Sequence, residues 1–391
     1  MARFTLRGRW TLATAAIGIA AAALFVGLSD VRYRPEPVRA GNAVGDARCL
    51  SCHQDKATFE STAHRLTSRL PTRAAMRGRF DRRNVVRTIN PALYYRVDST
   101  ATGYYESAVV RDADHPRDSI VLTHRMDIVT GSGRRGQSFL SWREGNRLYQ
   151  LPISYWASVG WANSPNYRDG VVNFDRPIAP RCLECHVGGL RPLDANNRED
   201  NRYDPHTLML GLTCETCHAA GQEHVARERM PLHAYLPKAI MNPARLTRRQ
   251  QMDGCALCHG GAVDLQNAPY SYVAGQVVRK VPDLRSAPDT NVDVHGNQVA
   301  LLERSRCYRA SQMTCLTCHD VHRTQRNTVE LSGVCLKCHA LPRLSPTHSP
   351  ASVGRCVDCH MPVLPSRTVV ASSDGKRVVQ TVRSHWIKVY R

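Results

Sequence analysis

Fourteen of the fifteen cysteines fall into seven pairs with the same two-residue spacing. In every pair the second cysteine is followed directly by a histidine, so a Cys-x-x-Cys-His motif occurs seven times. Histidine makes up only 17 of the 391 residues, and chance does not place it in the same position seven times. Numbered one to seven in chain order, the motifs contain Cys49, Cys52 and His53; Cys182, Cys185 and His186; Cys214, Cys217 and His218; Cys255, Cys258 and His259; Cys315, Cys318 and His319; Cys335, Cys338 and His339; and Cys356, Cys359 and His360.

Cys-x-x-Cys-His is the attachment signature of haem c. The two thiols form thioether bonds to the haem vinyl groups, and the histidine binds the iron as the proximal ligand. A structural zinc site does not require histidine at this one position each time. A disulfide framework does not require the two-residue gap, and thioredoxin-like redox pairs occur singly inside a βαβ unit. The sequence therefore predicts seven covalently attached haem c groups.

Ten histidines lie outside the motifs and can complete the coordination of the irons. A second histidine keeps the reduction potential lower than a methionine ligand does. His224 and His322 follow motifs three and five too closely to reach the far face of the same haem, so each is expected to bind a neighbouring iron. The predicted distal ligands are His64, His224, His295, His322, His348 and His385. The seventh is left open between His206 and His233, whereas His115 and His124 are expected not to bind iron.

The N-terminus has the pattern of an export signal, which covalent haem c attachment outside the cytoplasm requires. Arg3, Arg7 and Arg9 precede the almost wholly apolar stretch 11–28. This stretch is longer than an ordinary signal-peptide core and just long enough to span a bilayer. We predict an uncleaved anchor in the inner membrane, with the remaining chain in the periplasm. An exported soluble protein with a cleaved signal peptide is the alternative.

The motifs are unevenly distributed, and this indicates how the chain is organised. Motif one stands alone, whereas the other six lie between residues 182 and 360, or about one haem per 30 residues. So little chain cannot build a separate hydrophobic core for each cofactor, so the haems must lie close together. We predict a signal segment at 1–30, a haem-one segment at 45–84, a β-rich inserted module at 85–180 and a six-haem domain at 181–391. The expected fold is mainly α with much irregular structure around a haem array, plus the inserted antiparallel β module.

The inserted module is predicted from short β-branched and aromatic segments that turn residues separate. These segments are Leu93–Val97, Tyr104–Val110, Ile120–Val129, Ser138–Trp142 and Leu148–Ile153. The segment Gly131–Gly136 matches the letters of a dinucleotide-binding fingerprint, but a strand-like segment follows it where a helix is required. We interpret it as a glycine turn.

The motif neighbourhoods resemble those of the multihaem cytochrome c superfamily, which includes pentahaem nitrite reductase, octahaem hydroxylamine oxidoreductase and the tetrahaem cytochrome of nitrifying bacteria. The resemblance rests on Cys214-Glu-Thr-Cys217-His218 with His224, on Cys315-Leu-Thr-Cys318-His319-Asp-Val-His322 and on Cys356-Val-Asp-Cys359-His360-Met361-Pro362. The segment 294–308 is similar to a subgroup often fused to tetratricopeptide repeats. The resemblance implies a closely packed haem array that conducts electrons. The nitrite reductases bind their catalytic iron through Cys-x-x-Cys-Lys, and every motif here ends in histidine.

Taken together, the sequence favours an electron carrier with mostly bis-histidine haems over a stand-alone enzyme. The alternative is a multihaem oxidoreductase that acts on a small nitrogen or sulfur compound at one open haem. The net charge of +20 suits an acidic redox partner protein or an anionic membrane surface. The basic residues are dispersed along the chain, and export excludes genomic DNA, so no nucleic-acid partner is expected. Cys307, the one cysteine outside the motifs, is expected to be a buried small side chain.

Overall fold

The computed structural model describes residues 33–390, apart from 82, 112–117, 232, 236, 261–262, 265–267, 281–296, 340–347, 349–351 and 353. Within these ranges no helix is long and apolar enough to cross a membrane. The predicted anchor at 11–28 and the predicted ligand His295 lie outside the described residues.

Two antiparallel sheets form the middle of the chain. The four-stranded sheet has the order β2-β3-β4-β5. The other contains β1-β6-β7-β8-β11, with β9 paired to β7 and β10 paired to β9. The strands of the two sheets are β1 (Ser68–Arg69), β2 (Val85–Arg87), β3 (Leu93–Thr100), β4 (Gly103–Val110), β5 (Ser119–Arg125), β6 (Ile128–Thr130), β7 (Gly136–Arg143), β8 (Arg147–Gln150), β9 (Ile153–Trp156), β10 (Gly160–Asn163) and β11 (Arg176–Pro177).

Three two-stranded hairpins and short helices make up the remainder of the described chain. The hairpins pair β12 (Val187–Pro192) with β13 (Tyr203–Leu210), β14 (Val263–Asp264) with β15 (Arg279–Lys280), and β16 (Val363–Ser373) with β17 (Lys376–Arg383). The α-helices are α1 (Asp46–Leu50), α2 (Pro180–Leu183), α3 (Cys214–His218), α4 (Gln222–Glu228), α5 (Arg248–His259), α6 (Gln298–Glu303), α7 (Arg306–Arg309), α8 (Thr328–Cys335) and α9 (Cys356–His360). Short 3₁₀ turns cover Gln54–Ser61, Glu144–Asn146, His233–Tyr235, Pro243–Arg245 and Cys315–Thr317.

The expectation of a mainly α fold is wrong. Helix accounts for 25% of the structure and strand for 28%, so the fold is mixed. The motif helices α1, α2, α3 and α9 are only four or five residues long. Strands also occur among the six clustered motifs, where little β-structure was expected, in the hairpins β12–β13 and β14–β15. The hairpin β16–β17 follows the last motif, and β-branched residues pair across its two strands.

The strands expected between residues 93 and 153 are present, with one difference. The predicted strand at 120–129 is two strands, because β5 pairs with β4 in one sheet and β6 pairs with β7 in the other. Gly131–Gly136 joins β6 to β7 as a turn. Gly131 and Gly133 have φ values of +91° and +82°, which glycine adopts without steric cost.

The two large sheets pack face to face around a shared apolar core. Tyr95, Val97 and Ala108 of the four-stranded sheet contact Phe139 and Ile153 of the other. On its opposite face, the larger sheet packs against the hairpin β12–β13 and against α2, which begins motif two. The β sandwich therefore supports a motif directly.

Glu106 is a carboxyl group buried at the centre of this sandwich. It is 0% exposed, its Oε1 accepts a hydrogen bond from the Ile153 backbone N–H at 2.8 Å, and its Oε2 has no partner. Burial raises the pKa of Glu106 well above its usual value of 4.5. The folded protein therefore keeps a proton that the unfolded chain loses above that pH. The contribution of protonated Glu106 to stability is fully present below its pKa in the unfolded chain. It declines as the pH rises towards its pKa in the folded protein.

Glu106→Gln is expected to remove this pH dependence, because the amide is nearly isosteric and carries no proton to lose. The thermal midpoint of the variant should exceed that of the wild type at pH 8 by about 2 °C or more, and the difference should shrink towards pH 4. Thermal unfolding at several pH values measures this, with exposed Glu144→Gln as the control. If Glu106→Gln were less stable than the wild type, and by more at pH 8 than at pH 4, the raised pKa of Glu106 would be contradicted.

Candidate functional site

The motif cysteines and histidines lie on single helical turns. In motifs one, five and six, the backbone N–H of the histidine donates to the carbonyl of the first cysteine at 2.9 Å. Motifs three and five begin with a capping box, in which Thr213 and Thr314 provide the N-caps. A helical turn brings residues three and four positions apart to one face, so both thiols and the imidazole of a motif can engage one ligand. None of the fifteen cysteines forms a disulfide.

Five motif histidines each face a histidine from outside the motifs. The distances between ring centroids fall in the narrow range of 6.0 to 6.4 Å. The pairs are His53 with His224 at 6.4 Å, His259 with His64 at 6.1 Å, His218 with His322 at 6.2 Å, His319 with His385 at 6.3 Å, and His360 with His348 at 6.0 Å. His224 and His322 each face a motif other than the one that precedes them.

The spacing of these rings fits one metal ion held between two imidazoles. A metal–imidazole nitrogen bond is about 2.0 Å long, and the ring centre lies about 1.15 Å beyond the nitrogen, which places two ring centres about 6.3 Å apart. Stacked or T-shaped rings in direct contact have centroids within about 4.5–7 Å, so the distance alone does not exclude ordinary packing. The recurrence of one motif histidine and one other histidine in every pair is what favours ligation.

Hydrogen bonds to Nδ1 orient several of these rings. Backbone carbonyls accept from Nδ1 of His218 (Met241, 2.8 Å), His224 (Lys238, 2.6 Å), His360 (Lys388, 2.9 Å) and His385 (Arg383, 3.2 Å). A carbonyl can only accept, so Nδ1 carries the proton and Nε2 keeps its lone pair. Histidines that bind metals are held in this way by a backbone carbonyl or a carboxylate.

Burial favours the neutral form of five of the ten paired imidazoles. Desolvation lowers the pKa of both His259 and His385 to about 4. It also lowers the pKa values of His64, His218 and His319. A protonated imidazole has no lone pair to donate, so these environments favour the form that binds a metal at neutral pH.

The seven motifs are adjacent to one another in space. Thiols of different motifs lie close enough to shift each other's pKa in four places, which are Cys49 with Cys214, Cys185 with Cys258, Cys255 with Cys315, and Cys335 with Cys356. Motif one therefore lies beside motif three, motifs two, four and five lie together, and motif six lies beside motif seven. His322, which follows motif five, faces His218 of motif three, and this pair connects the first group to the second. The motifs therefore form closely spaced neighbours rather than isolated sites.

Two buried carboxylates, which the sequence reasoning missed, connect motifs one and three. Glu215 lies inside motif three and accepts hydrogen bonds from the backbone N–H groups of Val44, Gly45 and Gly221. Asp46 accepts from the Cys214 backbone N–H at 2.9 Å and forms an ion pair with Arg65. The available sequence signal was Glu215, an acidic residue between the cysteines of motif three. Such a position is equally compatible with an exposed side chain.

The other predicted residues have different surroundings. Nδ1 of His186 lies 3.0 Å from Thr67 Oγ1 and 3.5 Å from the Thr67 carbonyl oxygen. Within the described ranges no histidine ring is paired with His339. His206 and His233, the two candidates for the seventh distal ligand, are both exposed. His124 packs against Phe174 in the β sandwich with ring centroids 5.1 Å apart. Cys307 is half-buried, less buried than the sequence suggests.

Among the described residues, no group of three or more histidine, cysteine, aspartate or glutamate side chains has the arrangement of a metal site. A haem iron takes four nitrogens from its porphyrin, so the protein has to supply only one or two ligands. The paired histidines fit this requirement, and the cysteines of each motif are placed to attach the porphyrin.

No protein-family model, curated protein or solved structure matches the chain. The resemblance to the multihaem cytochrome c superfamily therefore stays a prediction from the motifs.

Proposed function

We propose that this chain is a heptahaem c-type cytochrome that transfers electrons through a closely packed, mostly bis-histidine haem array. The observation that carries the proposal is the set of five histidine pairs, each of which joins one motif histidine to one histidine outside the motifs. When bound, haem c supplies a reversible one-electron couple.

The protein's own residues have three roles in this proposal. The cysteine pairs fix each haem covalently, the motif histidines bind one face of the iron, and His64, His224, His322, His348 and His385 close the other face in five sites. Carbonyl acceptors at Nδ1 hold the imidazoles in the required tautomer. The proximity of thiols from different motifs supports closely spaced haems, which electron transfer between them requires.

The proposal extends to location and partners. Covalent haem c and the apolar segment 11–28 support a periplasmic protein that this segment anchors to the inner membrane, with a cleaved, soluble form as the alternative. The net charge of +20 supports docking of an acidic redox partner.

Carbon monoxide binding to the fully reduced protein tests the electron-carrier proposal. Carbon monoxide needs an exchangeable iron site, and five sites have a second histidine in place. We expect no more than two molecules bound per chain, measured from the change in the Soret band during titration. Binding of three or more would contradict the proposal.

An oxidoreductase with one open haem is the alternative function. Motif six supports it, since within the described part of the chain no histidine ring is paired with His339. Steady-state assays with a reduced viologen and nitrite, hydroxylamine or tetrathionate separate the two functions. Turnover at tens per second with any of these compounds would favour the enzyme.

A further inference from the structure

One segment at the end of the chain contacts two of the proposed haem sites. We call Arg383–Tyr390 the C-terminal clasp. Within it, the His385 ring faces the motif-five histidine, His319, at a centroid distance of 6.3 Å. Three residues later, the Lys388 carbonyl accepts a hydrogen bond from Nδ1 of the motif-seven histidine, His360, at 2.9 Å. The clasp therefore faces one site on the distal side and holds the proximal histidine of the other.

Hydrogen bonds on the motif-seven side fix the start of the clasp. The Arg383 guanidinium donates from Nη1 to the carbonyls of Val357 and Met361, at 3.0 and 2.8 Å. The next residue, Ser384, donates its backbone N–H to the Pro362 carbonyl at 2.9 Å. Because these acceptors belong to α9 and the residues that follow it, the clasp and motif seven are positioned together.

Ser305 anchors the other side of the clasp. Its hydroxyl accepts from the Ile387 backbone N–H at 2.8 Å and donates to the His385 carbonyl at 3.3 Å. Ser305 is 0% exposed and lies between α6 and α7, which pack with α5 of motif four. His385 and Ile387, the two neighbours of Trp386 along the chain, therefore both form hydrogen bonds with the buried Ser305 side chain.

Trp386 is held between two cations at the centre of the clasp. The Arg304 guanidinium carbon lies 3.9 Å from the centroid of one indole ring, and the Lys388 ammonium nitrogen lies 3.6 Å from it. The Trp386 carbonyl also accepts from the Tyr390 hydroxyl at 2.7 Å. Cation–π contacts of this kind fix the plane of the ring, and the rotation of the backbone with it.

We propose that Trp386 is a positioning residue that sets two haem sites at once, the distal ligand of haem five and the proximal ligand of haem seven. The inference rests on the proposed function, in which His385 and His360 bind iron. Since both ligands lie on or against one short anchored segment, releasing Trp386 should disturb the two sites together.

The test compares low-spin electron paramagnetic resonance signals of oxidised holoprotein variants. His385→Ala and His348→Ala identify the signals of haem five and haem seven, because each removes one distal histidine. In Trp386→Ala, both signals should lose about half or more of their intensity at the wild-type positions. Trp386→Phe, which keeps an aromatic ring between the cations, should restore most of it. If Trp386→Ala fails to fold, the double variant Arg304→Gln/Lys388→Gln provides the test, because it keeps the indole and removes both cations. It should also shift both signals.

Arg111→Gln provides the matched control, since it removes a cation–π contact with Tyr94 in the four-stranded sheet. It should leave both signals unchanged. A change confined to haem five, or to neither haem, in the Trp386 and double variants would overturn the inference. Those results would leave the proposed function intact, because haem content is measured separately by mass; a wild-type protein without covalent haem would instead overturn the proposed function.

Discussion

Replacing His224 with alanine is expected to create one new carbon monoxide site per chain in the reduced protein. The His224 ring faces His53 of motif one at 6.4 Å, and its Nδ1 is bound to the Lys238 carbonyl at 2.6 Å. Alanine removes the sixth ligand and leaves the motif histidine in place, so the iron becomes accessible. The potential of that haem should also rise, because a low-spin bis-histidine iron favours the ferric state. Titration with carbon monoxide and a redox titration measure the two effects.

His124→Ala is the control for this variant. His124 packs against Phe174 in the β sandwich and is expected not to bind iron. It should bind no more carbon monoxide than the wild type. If His224→Ala behaves like the control, His224 is not an iron ligand and the pairing with His53 reflects packing alone.

Replacing Glu215 with glutamine is expected to destabilise the protein by about 3 kcal/mol or more. The Glu215 side chain is 1% exposed and accepts three backbone N–H groups from two separate segments. Glutamine has one acceptor oxygen and turns an NH₂ group towards N–H donors, so buried donors lose their partner. Hydrogen bonds to a charged acceptor contribute about 1.5–3 kcal/mol each. Denaturant unfolding followed by far-ultraviolet circular dichroism measures the loss.

Glu223→Gln tests whether the effect is specific to the buried position. Its carboxylate is about half exposed and pairs with Arg227 on α4. Exposed pairs of this kind contribute about 0.2–1 kcal/mol, so the control should change little. Equal losses in the two variants would show that the contacts of Glu215 do not hold motifs one and three together.

The candidate ligands of the proposed sites were visible in the sequence, but their pairing was not. A Cys-x-x-Cys-His motif can be recognised from its local spacing, because its two thiols and its imidazole lie on one helical turn. The partner of each motif depends on contacts between distant segments. His64 faces His259 of motif four rather than the motif beside it, and His385 faces His319 of motif five. No local pattern encodes those approaches.

The strands were predictable from the sequence where β-branched and aromatic segments alternate with turn residues. They were not predictable where they lie directly beside a motif. The β-branched residues between 93 and 153 fill two sheets whose shared core explains their pattern. The hairpin β12–β13 lies directly after motif two, where haem packing led us to expect irregular chain. Its strands instead bury Leu190 and Tyr203 against the larger sheet. The contacts of Glu215 and Asp46 were missed for a related reason, since a polar residue in or beside a motif gives no sign of burial in the sequence.

Intact-mass spectrometry of the holoprotein tests the central claim most directly. The account predicts the mass of the chain, which is 43.6 kDa before any processing, plus seven covalent haems. A Cys49→Ser/Cys52→Ser variant should lose one haem and retain six, and peptide mapping should place a haem on each remaining motif. Seven haems in the wild type would establish the cofactor set on which the histidine pairs depend. Four or fewer, or cysteines recovered as free thiols from a strain that matures c-type cytochromes, would contradict it.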